Sequence, residues 1–121
     1  MDICVLKETD ISDRKAQWPV LFAFDNDSPA FVERAQSYAR GEGVYNEDTS
    51  TSFWNELDEY EQTINEHFDV SCRFCDNHYD MTHQEFYGFF ELACRRYLEM
   101  DPSAADDLKK ALGDYREKFL L

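Results

Sequence analysis

The sequence predicts an α+β fold, in which a small N-terminal antiparallel sheet packs on three to four helices and the C-terminal half is helical. Two short apolar runs near the N-terminus have the β-branched and aromatic content of strands. Beyond residue 80, apolar residues recur three and four positions apart, which is the spacing of one helix face. With 121 residues, 10 Phe, 7 Tyr and 2 Trp, residues 1–121 are expected to form a single compact acidic domain with its own core.

The two N-terminal runs, residues 3–6 and 20–24, are interpreted as strands. Residues 7–17 form a polar linker between them that is too long for a tight hairpin turn. An all-α domain is the alternative, and it would apply if both runs were extended loops.

Two helices and a strand are expected next. Ser28 suits an N-cap, Pro29 suits the first helical position and Gly41 suits the residue that ends the helix. Residues 51–67 are predicted as a second helix, because large apolar residues recur there three and four positions apart. From residue 68 to residue 74 apolar and polar residues alternate, which predicts a half-buried strand. The apolar stripe of the second helix consists of Phe53, Leu57, Tyr60, Ile64 and Phe68.

The C-terminal half carries clear helix signals. Thr82 and Glu85 match a capping box, which predicts that a helix begins there. That helix is apolar on more than one face, with Phe86 and Phe90 among its residues, so it is expected to be the central buried helix. Pro102 follows its end and is expected to open the last helix.

The charge is concentrated in one third of the chain. Residues 41–80 contain eleven Asp and Glu but a single base, Arg73, within a protein of net charge −14. A field of this sign repels nucleic acid and anionic membranes, and it attracts basic protein surfaces. The expected partner is therefore the basic surface of a nucleic-acid-binding protein or nuclease, with no direct contact to nucleic acid or membrane.

On the predicted helix, six carboxylates from Glu56 to Asp69 would span about 20 Å. Six carboxylates over this length would be spaced about 3.3 Å apart, which is close to the spacing of about 3.4 Å between phosphates along one strand of B-DNA. An ordinary solvated helix face is the competing explanation, although such faces usually mix Glu with Lys. The predicted partner-binding residues are Glu47, Asp48, Glu56, Asp58, Glu59, Glu61, Glu66 and Asp69.

Other chemistry has weaker support in the sequence. Cys72, Cys75, His78 and His83 could form a zinc knuckle, but their spacing matches no common closed site, so no metal is predicted. The pair Asp25-x-Asp27 after an apolar run resembles the start of a haloacid-dehalogenase-type phosphotransferase. The larger domain and the downstream residues of that family are missing, so a capping turn is favoured. No catalytic residue or cofactor is predicted, and the protein is not expected to be an enzyme.

In size, charge and helix content the chain resembles small acidic inhibitors that imitate DNA, of the anti-CRISPR or antirestriction type. This resemblance implies a non-enzymatic protein that occupies the basic site of a nucleic-acid-binding protein. Immunity proteins that neutralise nuclease toxins are the alternative, followed by a small zinc-binding interaction module. The N-terminus has no secretory signal and no apolar run is long enough to span a bilayer. The expected location is the cytoplasm, of a bacterial host cell if the gene belongs to a phage. There the four cysteines would be reduced.

Overall fold

A sheet of four antiparallel strands packs against helices in the computed structural model, which describes residues 4–27 and 29–121. The predicted α+β class, with an antiparallel sheet and a helical C-terminal half, is therefore confirmed. Short 3-10 turns lie at Glu8–Asp10, Trp54–Glu56 and Pro102–Ala104. In chain order the main elements are α1 (Arg14–Ala23), α2 (Phe31–Ala39), β1 (Val44–Tyr45), β2 (Thr49–Phe53), α3 (Glu59–Ile64), β3 (Val70–Phe74), β4 (Asn77–Met81), α4 (His83–Met100) and α5 (Ala105–Lys118).

The strand predicted at residues 20–24 is wrong, because most of this run belongs to α1. Asp13 caps that helix, and its side chain accepts a hydrogen bond from the Lys15 amide. Ala16 and Val20 then face the core at a helical spacing of four. Pro19 lies inside the helix, where it removes one backbone hydrogen bond but leaves the buried face intact.

The predicted N-terminal strand at residues 3–6 falls partly outside the described residues. Residues 4–6 are not in a strand, but Val5 and Leu6 are buried in the core. The sheet is therefore built from the middle of the chain, residues 44–81, rather than from its start.

The first helix that the sequence predicts after Pro29 is confirmed as α2. Its N-terminal amide at Phe31 donates to the Asn26 side chain at 2.9 Å, while the predicted cap, Ser28, lies outside the described residues. Gly41 follows the end of α2 with φ +72°. Left-handed backbone of this kind is the conformation that makes glycine the usual residue after a helix.

The strands follow one another as a meander, in the order β1-β2-β3-β4. Thr51 pairs with Cys72, and Cys72 pairs with Tyr79, so these three side chains share one face. Helix α1 packs across β2, β3 and β4 on this same face. The alternation predicted around residues 68–74 is confirmed by β3, which starts at Val70.

The helix predicted at residues 51–67 is wrong. Thr49–Phe53 is strand β2, Trp54–Glu56 is a 3-10 turn, and only the six residues of α3 are α-helical. The Ser and Thr residues before Phe53 are weak helix formers, and the strand alternation places Thr51 and Phe53 in the core. Asp58 then caps a separate helix, because its side chain accepts the Glu61 amide at 2.7 Å.

The core is largely aromatic, and the predicted central helix α4 runs through it. Thr82 caps this helix as predicted and is the single residue between β4 and α4. Phe86 and Phe90 of α4 are fully buried, and each packs against both Tyr38 of α2 and Tyr115 of α5. The predicted last helix is confirmed as α5, which packs along α2.

Candidate functional site

The face of the sheet opposite α1 is polar. Ser50, Arg73 and His78 stand side by side across β2, β3 and β4, because their backbones are in register. A second row across the same strands contains Ser52, Ser71 and Asp80. These positions alternate with the buried ones, so their side chains point away from the helical layer.

A cavity of about 520 Å³ lies on this polar face. Its wall comes from the chain between β2 and β3, which contributes Leu57, Glu66 and Phe68. The cavity therefore combines a serine-rich floor with apolar and acidic walls. We call this area, together with the neighbouring 3-10 turn, helix α3 and loop that carry the carboxylates of residues 56–69, the acidic face.

Arg73 is the one cation of residues 41–80, and its guanidinium is held by the fold. It donates to Ser50 Oγ at 3.3 Å, to the Cys75 carbonyl at 2.9 Å and to the Glu47 carbonyl at 3.4 Å. Its charge is thus directed at backbone and hydroxyl groups of the β1–β2 and β3–β4 turns rather than at a carboxylate. The acidic side chains around it keep their net negative charge.

Four of the eight predicted partner-binding residues support the fold. Glu56 Oε1 accepts hydrogen bonds from the Gly43 amide at 2.9 Å, the Phe53 amide at 3.0 Å and the Tyr45 hydroxyl at 3.1 Å. Asp58 and Glu61 form the capping box of α3. Asp69 accepts the His83 amide at 3.1 Å, which supports the start of α4. These four carboxylates are therefore already engaged in hydrogen bonds within the protein, and a partner would have to contact them without breaking those bonds.

The other four, Glu47, Asp48, Glu59 and Glu66, have exposed side chains. Glu47 and Asp48 lie in the β1–β2 turn, Glu59 is the first residue of α3, and Glu66 lies in the loop before β3. The prediction that six carboxylates lie along one helix is therefore wrong. The acids are spread over a turn, a short helix and a loop.

Large apolar side chains stand among these carboxylates. Tyr45 is 58% exposed, Tyr60 71% and Ile64 63%. Sequence periodicity placed Tyr60 and Ile64 on one helical stripe with Phe53, and this is wrong because α3 presents both to solvent whereas Phe53 is buried in β2. Burial and then the Glu56 and Glu61 charges raise the pKa of Tyr45, so its hydroxyl stays protonated and can donate.

The zinc-knuckle alternative gains no geometric support. Cys72 is buried under the helices, where burial raises the pKa of its thiol to about 12, whereas His78 lies on the opposite, open face. Cys75 is exposed in the β3–β4 turn with φ 53°. No group of three or more metal-ligating side chains occurs in the part of the chain that the structure describes.

The Asp25-x-Asp27 pair does not form a catalytic arrangement. Asp25 is buried and forms an ion pair of 2.8 Å with Arg34 of α2. Burial raises the pKa of Asp25, and Arg34 opposes this effect by favouring the charged carboxylate. Asp27 is exposed. The ion pair between Asp25 and Arg34 therefore links the end of α1 to α2.

The helices cover one face of the sheet, and the other face is open and polar, with Glu66 and Asp80 in its lining. The chain belongs to the CDI immunity protein family, whose family model matches residues 16–112. No curated protein matches the chain. The family supports a protein–protein inhibitor that binds a toxin, which is the immunity alternative of the sequence analysis rather than DNA mimicry. In the described residues no helix is long and apolar enough to cross a membrane.

Proposed function

We propose that this protein neutralises a cognate toxin by binding it through the acidic face, and that it catalyses no reaction. The observation that carries the proposal is the family match over residues 16–112, joined to a net charge of −14. Residues 41–80 carry a net charge of −10 of that total, and two of their acids, Glu66 and Asp80, line the open sheet face. A toxin with a basic, nucleic-acid-binding surface, such as a nuclease, has the complementary chemistry.

The expected contacts divide into anchors and steering charges. Tyr45, Tyr60 and Ile64 can bury apolar area against the toxin, which gives most of the residence time. Glu59 and Glu66 are exposed and can meet Lys or Arg side chains. Such charges mainly accelerate encounter. This proposal needs no regular, DNA-like spacing of carboxylates.

The proposal predicts that a toxin is encoded next to this gene, and that toxin provides the test. Cells that express this toxin should grow only when the immunity protein is co-expressed, and the two proteins should co-purify as a complex. A Glu59→Lys, Glu66→Lys double variant should bind more weakly. The matched control is Glu99→Lys, Glu117→Lys, because it makes the same change in net charge at exposed positions of α4 and α5.

Two outcomes would contradict the proposal. If the neighbouring toxin neither binds the protein nor loses its toxicity, the immunity function is wrong. If both double variants bind as tightly as the wild type, the function stands but the acidic face is not the toxin-binding surface.

A further inference from the structure

A second concave surface lies between α4 and α5, apart from the acidic face. It encloses about 630 Å³ and has an apolar floor. We call it the α4–α5 groove. The apolar part of its lining comprises Tyr87, Cys94, Leu98, Leu108 and Leu112.

The rim of the α4–α5 groove is basic. Arg95, Lys109 and Arg116 line it, and Glu91 is the single acid among the lining residues. Arg95 lies 3.7 Å from Glu91, while the Arg116 guanidinium lies 5.8 Å from the centre of the Tyr87 ring. In a protein with 12 basic and 26 acidic residues, an apolar groove with this rim selects for an acidic, apolar segment.

Glycine at the groove points to a ligand that approaches closely. Gly113 lies inside α5 and lines the groove, and a Cβ atom placed there would meet no atom within 4 Å. Gly88 of α4 is equally open, and it lies seven residues before Arg95, on the same side of the helix. Glycine inside a helix is less favourable than alanine. Internal packing does not explain either glycine, whereas close approach of another backbone would.

The chain itself displays a segment of matching chemistry. Tyr60 and Ile64 of α3 are four residues apart and therefore on one face, and both are largely exposed. In the chain, Glu59 directly precedes Tyr60, and Glu66 follows Ile64 by two residues. The segment is thus an apolar pair bordered by carboxylates, the complement of an apolar groove bordered by cations.

We propose that the α4–α5 groove of one copy binds α3 of a second copy, and that a two-fold pair makes this contact twice. Tyr60 and Ile64 enter the apolar floor, and Glu59 and Glu66 face the cations of the rim. Two-fold pairing of this kind closes the assembly, because each surface meets its complement on the other copy. The inference goes beyond toxin binding, and it predicts that the pair covers part of the acidic face.

The test is the mass of the protein in solution at an ionic strength of 0.15 M, measured by sedimentation equilibrium up to about 1 mM protein, as a small interface requires. The wild type is expected to approach the mass of two chains. Gly113→Leu fills the groove and should weaken association at least tenfold. It should fold at least as stably as the wild type, because leucine is the better helix former and its Cβ meets open space.

A charge exchange tests the pairing itself. Lys109→Glu, Arg116→Glu and Glu59→Lys, Glu66→Lys should each be monomeric, since groove and helix then carry the same sign. An equimolar mixture of the two should form pairs again, because each groove meets an oppositely charged α3. The groove variant keeps its acidic face and should still bind the toxin, which separates this inference from the proposed function.

The inference is overturned if the wild type stays monomeric at every concentration, if Gly113→Leu associates like the wild type, or if the mixture stays monomeric.

Discussion

Glu56 Oε1 accepts a hydrogen bond from the Gly43 amide at 2.9 Å, which joins the 3-10 turn after β2 to the chain that enters β1. The neighbourhood is tight, because a Cβ atom on Gly43 would lie 1.9 Å from the Thr51 carbonyl oxygen. The Glu56 carboxylate, which the sequence alone presents as surface charge, therefore holds the edge of the sheet together by hydrogen bonds. The acids of residues 41–80 are not equivalent.

Replacing Glu56 tests this distinction. Glu56→Ala leaves the Gly43 and Phe53 amides and the Tyr45 hydroxyl without their acceptor, and should lower the free energy of unfolding by about 1–3 kcal/mol. Glu59→Ala is the control and should change it by less than about 0.5 kcal/mol. Urea unfolding measures both. Equal losses would mean that the Glu56 bonds add no stability.

Phe90 is fully buried at the centre of the aromatic core. Phe90→Ala should lower the free energy of unfolding by about 3–5 kcal/mol, through lost burial and the cavity that remains. Tyr60→Ala removes another large ring, at a position that is 71% exposed, and should cost far less. A loss near 1 kcal/mol for Phe90→Ala in chemical denaturation would show that α4 is not central to the core.

His83 should make stability depend on pH. Burial lowers its pKa from 6.5; His67 adds to this effect, and Asp69 opposes it. The unfolded chain therefore takes up the proton first as pH falls below about 6.5. The free energy of unfolding is therefore highest above pH 6.5, and it falls as the pH drops from there towards the lowered pKa of His83, by at most about 1.4 kcal/mol per pH unit.

Comparing the free energy of unfolding at pH 7.5 and at pH 5.5 measures the effect. His83→Gln should show a smaller loss than the wild type over this interval. The assignment to His83 fails if His83→Gln keeps the full pH dependence.

Charge reversal on the acidic face should act on the rate of toxin association. Glu59→Lys should lower that rate and weaken its salt dependence, because an exposed charge mainly steers encounter over about 8 Å at physiological ionic strength. Tyr60→Ala should instead raise the dissociation rate, because it removes apolar contact. Stopped-flow or surface-based kinetics separate the two. Similar effects on both rates would argue against this division of roles.

Short sequence patterns that determine local backbone hydrogen bonds predicted their elements correctly. The capping box of Thr82 and Glu85 correctly marked the start of α4, and the two-residue alternation of β3 was also correct. In each case one short pattern determines both the hydrogen bonds and the buried face. The single-domain organisation stays a prediction.

The helical spacing of apolar residues gave a wrong prediction for residues 51–67, where tertiary packing determines the secondary structure. Between Phe53 and Ile64 the apolar residues recur at helical spacing, yet Phe53 belongs to a strand and Ile64 faces solvent. Strand β2 is stabilised by its pairing with β3, which lies about twenty residues away and has no signal within the window. The same error placed the exposed Tyr60 and Ile64 on one stripe with the buried Phe53. The charge bias indicated a protein partner, but it could not separate acids that support the fold from acids with exposed, unengaged side chains.

The direct passage from Met81 through Thr82 into His83 also determines how binding should proceed. Only one residue separates β4 from α4, so no flexible hinge lies between them. The hydrogen bond from the His83 amide to the Asp69 carboxylate further restrains this junction. The open sheet face is thus preorganised by the helix that forms the core. A toxin should dock on it as a rigid body, with little ordering entropy to lose and with nearly superimposable free and bound backbones.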